Sequence, residues 1–492
     1  MDEQVPEDAF FLDRAAAASL QAQLREAVVS GVLTGRMPAG ARLPSTRRLA
    51  QHLGVSRITV TLAYQELVAQ GYLATEVRSA YVVSAAAPRP RVRRGAAAIL
   101  GRPPDWSARL TSELATRRRI EKPADWRSYP YPFIYGQMDM GLFDHGAWRD
   151  CARRALGRRD FEVVAGDAYG ADDPELVDYI RRRTLPRRGV EAEADEILIT
   201  LGAQHALWLA IRLLTRRPCR AVFEEPGHPD IAAALRWNGA ELTLLPVDEG
   251  GLPVERLPDA PDLVVVTPSH HAPTAATMPM ARRLALLEAA SARDFLIIED
   301  DYDFEMSFLG PPSPALKSLD RAGRVLYVGS FSKALFPGLR LGYLVAPPPF
   351  AAEARRLRAL MLRDPPGQMQ RTVAHFLALG HYDALVRRMR QAFAERREVA
   401  TRALEAADFV IAGAARFGGA NLWVRAPGGV DSALLAERLL PKGVVIEPGA
   451  PFFDRLEGGT PFFRLAYSSI SASRIAEGVR RIADCAARLA EG

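Results

Sequence analysis

The stretch Gly329-Ser330-Phe331-Ser332-Lys333-Ala334-Leu335-Phe336-Pro337-Gly338-Leu339-Arg340 decides the fold of most of this chain. It follows Val325-Leu326-Tyr327-Val328, a short apolar run that reads as a buried strand. A lysine amine just past a strand end can condense with an aldehyde. Ser330, Ser332 and Arg340 add two hydroxyls and a bidentate cation, donors that suit a phosphate. In open α/β sheets, ligands sit at the carboxyl ends of the strands, where this stretch would lie.

Working outward, further short apolar runs precede it. They are Ile197-Leu198-Ile199-Thr200, Ala221-Val222-Phe223, Leu263-Val264-Val265-Val266 and Leu296-Ile297-Ile298. Helical stretches separate most of them, which predicts a buried, largely parallel α/β sheet from about Tyr129 onward. Polar motifs follow the runs: Leu201-Gly202-Ala203-Gln204, Glu225-Pro226-Gly227-His228, Thr267-Pro268-Ser269-His270-His271 and Asp300-Asp301-Tyr302. Asp300 and Tyr302 are two residues apart, so on one strand they point to the same side. Ala203 and Gln204 would open a helix whose N-terminus can cradle a phosphate.

The first quarter of the chain reads differently. Residues 14–84 suggest a compact helical unit ending in a short strand pair. Leu20, Leu24, Ala27 and Val28 recur at helical spacing, Ser45 and Ser56 can cap two further helices, and Gly54 makes the turn between them. Residues 85–128 open with Ala, Pro and Arg and read as a linker, with a short helix expected over residues 110–119. Of the net charge of +6, residues 14–84 carry +5 and residues 88–128 carry +7. A polyanion partner and a merely solvated Arg-rich surface both fit that excess.

Two resemblances give these patterns a function. Arg42-Leu43-Pro44-Ser45-Thr46-Arg47, with Leu53-Gly54-Val55-Ser56-Arg57-Ile58-Thr59-Val60-Thr61, resembles the GntR-type winged helix-turn-helix. It implies contacts with double-stranded operator DNA from Arg42, Ser45, Thr46, Arg47, Ser56, Arg57, Thr59 and Thr61, and from Arg78 in the wing. In that wing Glu76 would repel phosphate, which leaves Arg78 as its one basic contact. The downstream motifs resemble the fold type I aminotransferases, and most of all the MocR (GabR-like) regulators, where both parts are fused. The implied fold is an N-terminal winged helix (α+β), residues 14–84, and a C-terminal α/β aminotransferase fold with a smaller α+β subdomain, residues 129–492.

The implied cofactor is pyridoxal 5'-phosphate (PLP). By resemblance Lys333 forms its Schiff base, Asp300 pairs with the pyridine nitrogen and Tyr302 bonds the ring hydroxyl. Ser330, Ser332, Arg340, Ala203 and Gln204 hold the phosphate, with Tyr169 reaching that of a neighbouring subunit. His228 stands where the family stacks an aromatic residue on the ring. Arg464 receives the acidic end of an amino ligand. The family's aminotransferases carry an Asn before Pro-Thr-Gly; here the run is Ala272-Pro273-Thr274-Ala275, so that contact is lost unless His270 or His271 supplies it.

The implied protein is a homodimeric transcriptional regulator, expected to activate an amine- or amino-acid-utilisation operon. Its inducer would be a primary amine with an acidic end, such as taurine or an ω-amino acid, that displaces Lys333 to form an external aldimine. Two alternatives stay open: an active aminotransferase with a DNA-binding appendage, and a sensor of PLP itself. The three cysteines are scattered without metal spacing, the N-terminus lacks a basic leader, and no apolar run reaches the ~18 residues of a membrane span, so a cytoplasmic location is expected.

Overall fold

The computed structural model describes residues 4–14, 16–76, 80–88, 105–110, 118–168, 170–215, 217–413 and 417–491. The chain forms two compact units, residues 1–111 and 112–492. In the first, helix α1 (Leu20–Leu33) starts where the Ser19 hydroxyl accepts the Ala22 N–H at 3.2 Å, and it buries Leu24, Val28 and Val32. Helix α2 (Thr46–Leu53) is capped by Ser45 and stops at Gly54, whose φ of +62° is the left-handed turn conformation. Helix α3 (Arg57–Ala69) is capped by Ser56 and buries Val60, Ala63, Tyr64 and Leu67. Strands β1 (Leu73–Glu76) and β2 (Ala80–Val83) pair antiparallel as the wing. The core also takes in Val5 and Phe10, upstream of residue 14. A short helix at Trp106–Arg109 ends where the helix over residues 110–119 was expected to begin. Most of that expected stretch, together with Arg78 and Tyr169, lies outside the described residues.

The second unit opens with a short strand, β3 (Tyr131–Pro132). Its main sheet has seven strands: β4 (Ile197–Thr200), β5 (Arg220–Glu225), β6 (Glu241–Pro246), β7 (Leu263–Val266), β8 (Leu296–Asp300), β9 (Val325–Ser330) and β10 (Gly342–Val345). Their order is β4-β10-β9-β8-β7-β5-β6. From β9 to β6 every pairing is parallel, but β10 runs antiparallel to both β9 and β4. The sheet is therefore mixed. The sequence pattern missed β6, an edge strand with alternating burial, and β10, which follows the lysine stretch directly.

The smaller sheet orders β11 (Val410–Ile411), β12 (Asn421–Arg425), β15 (Phe462–Ala466) and β14 (Glu447–Pro448), all antiparallel. Strand β13 (Val444–Val445) pairs parallel with β3. Buried charge ties the unit together. The Arg188 guanidinium donates to Asp301 at 2.7 Å, with both side chains at most 1% exposed, and also to Ser269 and the Ser313 carbonyl. No helix among the described residues is long and apolar enough to cross a membrane.

Candidate functional site

Past the ends of β8 and β9, residues far apart in sequence surround a cavity of about 320 Å³. The structure brings Lys333, Asp300, Tyr302, Ser330, Ser332, Arg340, Ala203, Gln204, His228 and Arg464 together in its wall. Lys333 Nζ lies 4.4 Å from the centre of the Tyr135 ring. Desolvation and the neighbouring Arg464 lower its pKa to about 8, against the pull of Asp303 and Glu447. Asp300 is buried, and its Oδ1 has no hydrogen-bond partner. Burial, then the charges of Asp301 and Asp303, push its carboxyl up to about 8. The Tyr302 hydroxyl donates to the His270 carbonyl at 2.9 Å.

A cradle of backbone and hydroxyls lies at the same strand ends. Ala203 and Gln204 start the helix Ala203–Leu214, behind Gly202. Arg340 adopts a left-handed conformation, φ +51°, which turns the chain back into β10. Its guanidinium lies 3.4 Å from where a Cβ on Gly202 would stand. The Ser330 hydroxyl accepts the Ser332 N–H at 3.2 Å. The Gln204 amide donates to Asp230 at 3.0 Å.

Arg464 is buried on β15, where its Nε donates to Glu447 of β14 at 2.8 Å. Its guanidinium packs 4.4 Å from the Tyr135 ring centre and 4.9 Å from that of Phe452. Tyr135 also donates through its hydroxyl to Asp303 at 2.9 Å.

Several expectations shift. His228 lines the cavity, and its Nδ1 accepts the Asp230 N–H at 3.3 Å as a helix cap. Neither His270 nor His271 is among the cavity-lining residues. His270 Nδ1 bonds Asp303 at 3.0 Å, and His271 Nδ1 bonds Thr274 at 2.8 Å. Ala272 lines the cavity instead. Sequence reasoning also missed Lys122, Tyr135, Gly136 and Glu447. Only Gly136 left a usable signal, a turn glycine after Phe133-Ile134-Tyr135. A Cβ there would stand 2.6 Å from Lys333 Nζ, and φ is +69°.

These features suit a phosphorylated pyridine aldehyde. The unpartnered Asp300 oxygen answers a protonated ring nitrogen, the desolvated Lys333 amine answers an aldehyde, and the cradle answers a phosphate.

In the first unit, the residues expected at DNA stand at or near the surface. Ser45, Arg47, Ser56, Arg57 and Arg42 are exposed; Thr46, Thr59 and Thr61 are partly so. The Ser45 and Ser56 hydroxyls cap their helices, accepting the Arg48 and Thr59 N–H groups. Arg57 Nε donates to Thr46 at 3.3 Å, and the Thr61 hydroxyl donates back to the Arg57 carbonyl at 2.9 Å. Arg42 pairs with Glu76 at 3.3 Å, which offsets part of the repulsion a phosphate would meet there.

The family model "Bacterial regulatory proteins, gntR family" matches residues 19–83, and "Aminotransferase class I and II" matches residues 171–482. The chain is 55% identical to the HTH-type transcriptional regulator TauR of Rhodobacter capsulatus, over 97% of this chain and 99% of that one. It is 34% identical to the probable rhizopine catabolism regulatory protein MocR of Rhizobium meliloti, over 79% and 78%. Among solved structures it resembles LysN, an α-aminoadipate aminotransferase of Thermus thermophilus solved with N-(5'-phosphopyridoxyl)-L-leucine. That match has a TM-score of 0.69 and 26% identity, covering 78% of this chain and 99% of that one.

Proposed function

The chain belongs to the MocR (GabR-like) family of transcriptional regulators, and on that premise we propose that it is a PLP-dependent, DNA-binding regulator of amine or amino-acid utilisation. The observation that carries this reading is one cavity holding a desolvated lysine amine, an unpartnered buried carboxylate and a buried arginine. When bound, the cofactor supplies an aldehyde that can exchange one primary amine for another.

The protein's own groups set the terms of that exchange. A pKa of about 8 leaves Lys333 a usable share of neutral, nucleophilic amine at neutral pH. Asp300 holds a ring N–H, and Tyr302 faces the same cavity from two residues along the chain. Ser330, Ser332, Arg340 and the Ala203–Gln204 helix start hold the phosphate. His228 would stack on the cofactor ring, and Tyr169 would serve the phosphate of the partner in a homodimer. Arg464 takes the acidic end of the ligand, an ω-amino acid or taurine. Lys333 would hold the aldehyde carbon, and whenever its amine is free it would carry a proton beside Tyr135 and Asp303. That new local charge is the event that biases the protein's state.

DNA is read by α3, with Arg57 and Thr59 in its first turn, Ser56 as its cap and Thr61 one turn on; Ser45, Thr46 and Arg47 of α2, with Arg42 and Arg78, position the phosphates. Residues 85–128 link the two functions. Ala272 in the cavity wall favours a sensor over an efficient aminotransferase, since a side-chain contact to the ring is missing there.

The test is Lys333→Ala in the full-length protein. Operator binding in a gel-shift titration should persist while amine-dependent transcription is lost. A normal response from that variant, or multiple turnover of amino groups by the native protein at metabolic rates, would overturn the reading.

A further inference from the structure

One wall of the ligand cavity comes from a segment that the sequence assigns to the linker. That segment is tied down at both ends. The Arg118 guanidinium donates to the Asp454 carbonyl, and Trp126 is buried against Ile134 and Val445. Between these anchors, Ile120 and Lys122 line the cavity together with Glu447 and Arg464.

The charges at this end do not balance. Arg464 spends its Nε–H on Glu447, and among the described residues its two terminal nitrogens donate no hydrogen bond to another side chain or carbonyl. Arg464 and Glu447 cancel. Lys122 has no ion-pair partner among the described residues, so one positive charge is left over. Lys122 lines the wall and is exposed, yet desolvation lowers its pKa, while Glu447 raises it and Arg464 lowers it. A single bound oxyanion would satisfy both the surplus charge and the idle guanidinium nitrogens.

We propose that Lys122 is a ligand-binding residue: its ammonium and the terminal nitrogens of Arg464 together grip the carboxylate or sulfonate of the amino ligand. The inference rests on the proposed reading of the cavity and adds a specificity determinant to it. It also gives the signal a covalent route. The ligand's acidic end would restrain the segment that continues, through the linker, into the DNA-reading unit.

The test uses the cofactor-loaded full-length protein and three amines: taurine, β-alanine and n-propylamine, which lacks the acidic end. Each is titrated by the change in bound-cofactor absorbance and by calorimetry. Lys122→Met, which keeps an apolar stem, should weaken taurine and β-alanine by roughly tenfold or more, the size of one charge-assisted contact. It should leave n-propylamine within about twofold, and Lys122→Arg should restore most of the loss. Unchanged affinity for all three, or a parallel loss for all three, would overturn the role of Lys122. If the native protein shows no cofactor band, or none of the amines alters it, the reading of the cavity itself falls, and the role of Lys122 with it.

Discussion

The two units use arginine in opposite ways. Arg57 and Arg47, on the helices expected to meet DNA, stand in water. Arg188 and Arg464 are buried, each against a carboxylate: Asp301 at 2.7 Å and Glu447 at 2.8 Å. An exposed guanidinium costs the fold little and waits for its partner. A buried one must be matched when the chain folds, so it is part of the structure before it is part of any site. Substitutions of like chemistry should therefore differ sharply between the units.

The largest effect is expected from Arg188→Met. It leaves Asp301 charged and uncompensated in the core, which should cost about 3–5 kcal/mol, read in denaturant unfolding of the second unit. A cost below about 1 kcal/mol would break the contrast, because surface arginines already lie in that range.

Lys333→Met comes next and has the opposite sign. Unfolded, the amine titrates near 10.5; folded without cofactor, near 8. Below pH 8 the fold carries the full penalty of a desolvated ammonium. Between about 8 and 10.5 only the unfolded state stays protonated, so stability rises with pH; above that the penalty is gone. The variant should be more stable than the native cofactor-free protein at pH 7, by on the order of 3 kcal/mol, and the advantage should vanish by about pH 10.5. Thermal unfolding across that range checks the sign.

In the first unit, Ser56→Ala removes a helix cap and should cost about 1 kcal/mol, read as a lower unfolding midpoint of that unit. The smallest effect is Glu76→Gln. Its pairing with Arg42 is exposed, so stability should change by less than about 0.5 kcal/mol. Removing the negative charge of Glu76 should nevertheless tighten nonspecific duplex binding at low salt, and the gain should fade as salt rises.

The same contrast explains how much could be read from the sequence. The first unit's helices were legible because their signals are local. Ser45 and Ser56 cap the helices that begin beside them, and Gly54 turns the chain between. Around the cavity, Lys333, Asp300 and Arg340 were legible because each sits in or just past a strand-end motif. Glu447, Tyr135 and Lys122 were not, because tertiary pairing brings them in: β14 with β15, β13 with β3, and a segment pinned by Trp126. Nothing in Ile120-Glu121-Lys122-Pro123 announces a cavity wall. The positions of His270 and His271 outside the cavity wall were hidden for a related reason. Periodicity says how residues alternate along a strand, but β7 ends at Val266, and the loop beyond it turns these imidazoles toward Asp303 and Thr274.

Gly136 has a consequence for the gene as well as the protein. With a left-handed φ and a Cβ that would displace the Lys333 amine, the position has no neutral neighbour in the genetic code: every single-base missense change brings a side chain into the space that amine occupies. Such alleles would leave the DNA-reading unit's own sequence untouched. Selection for strains deaf to the inducer, yet still holding their operator, should return to this codon repeatedly.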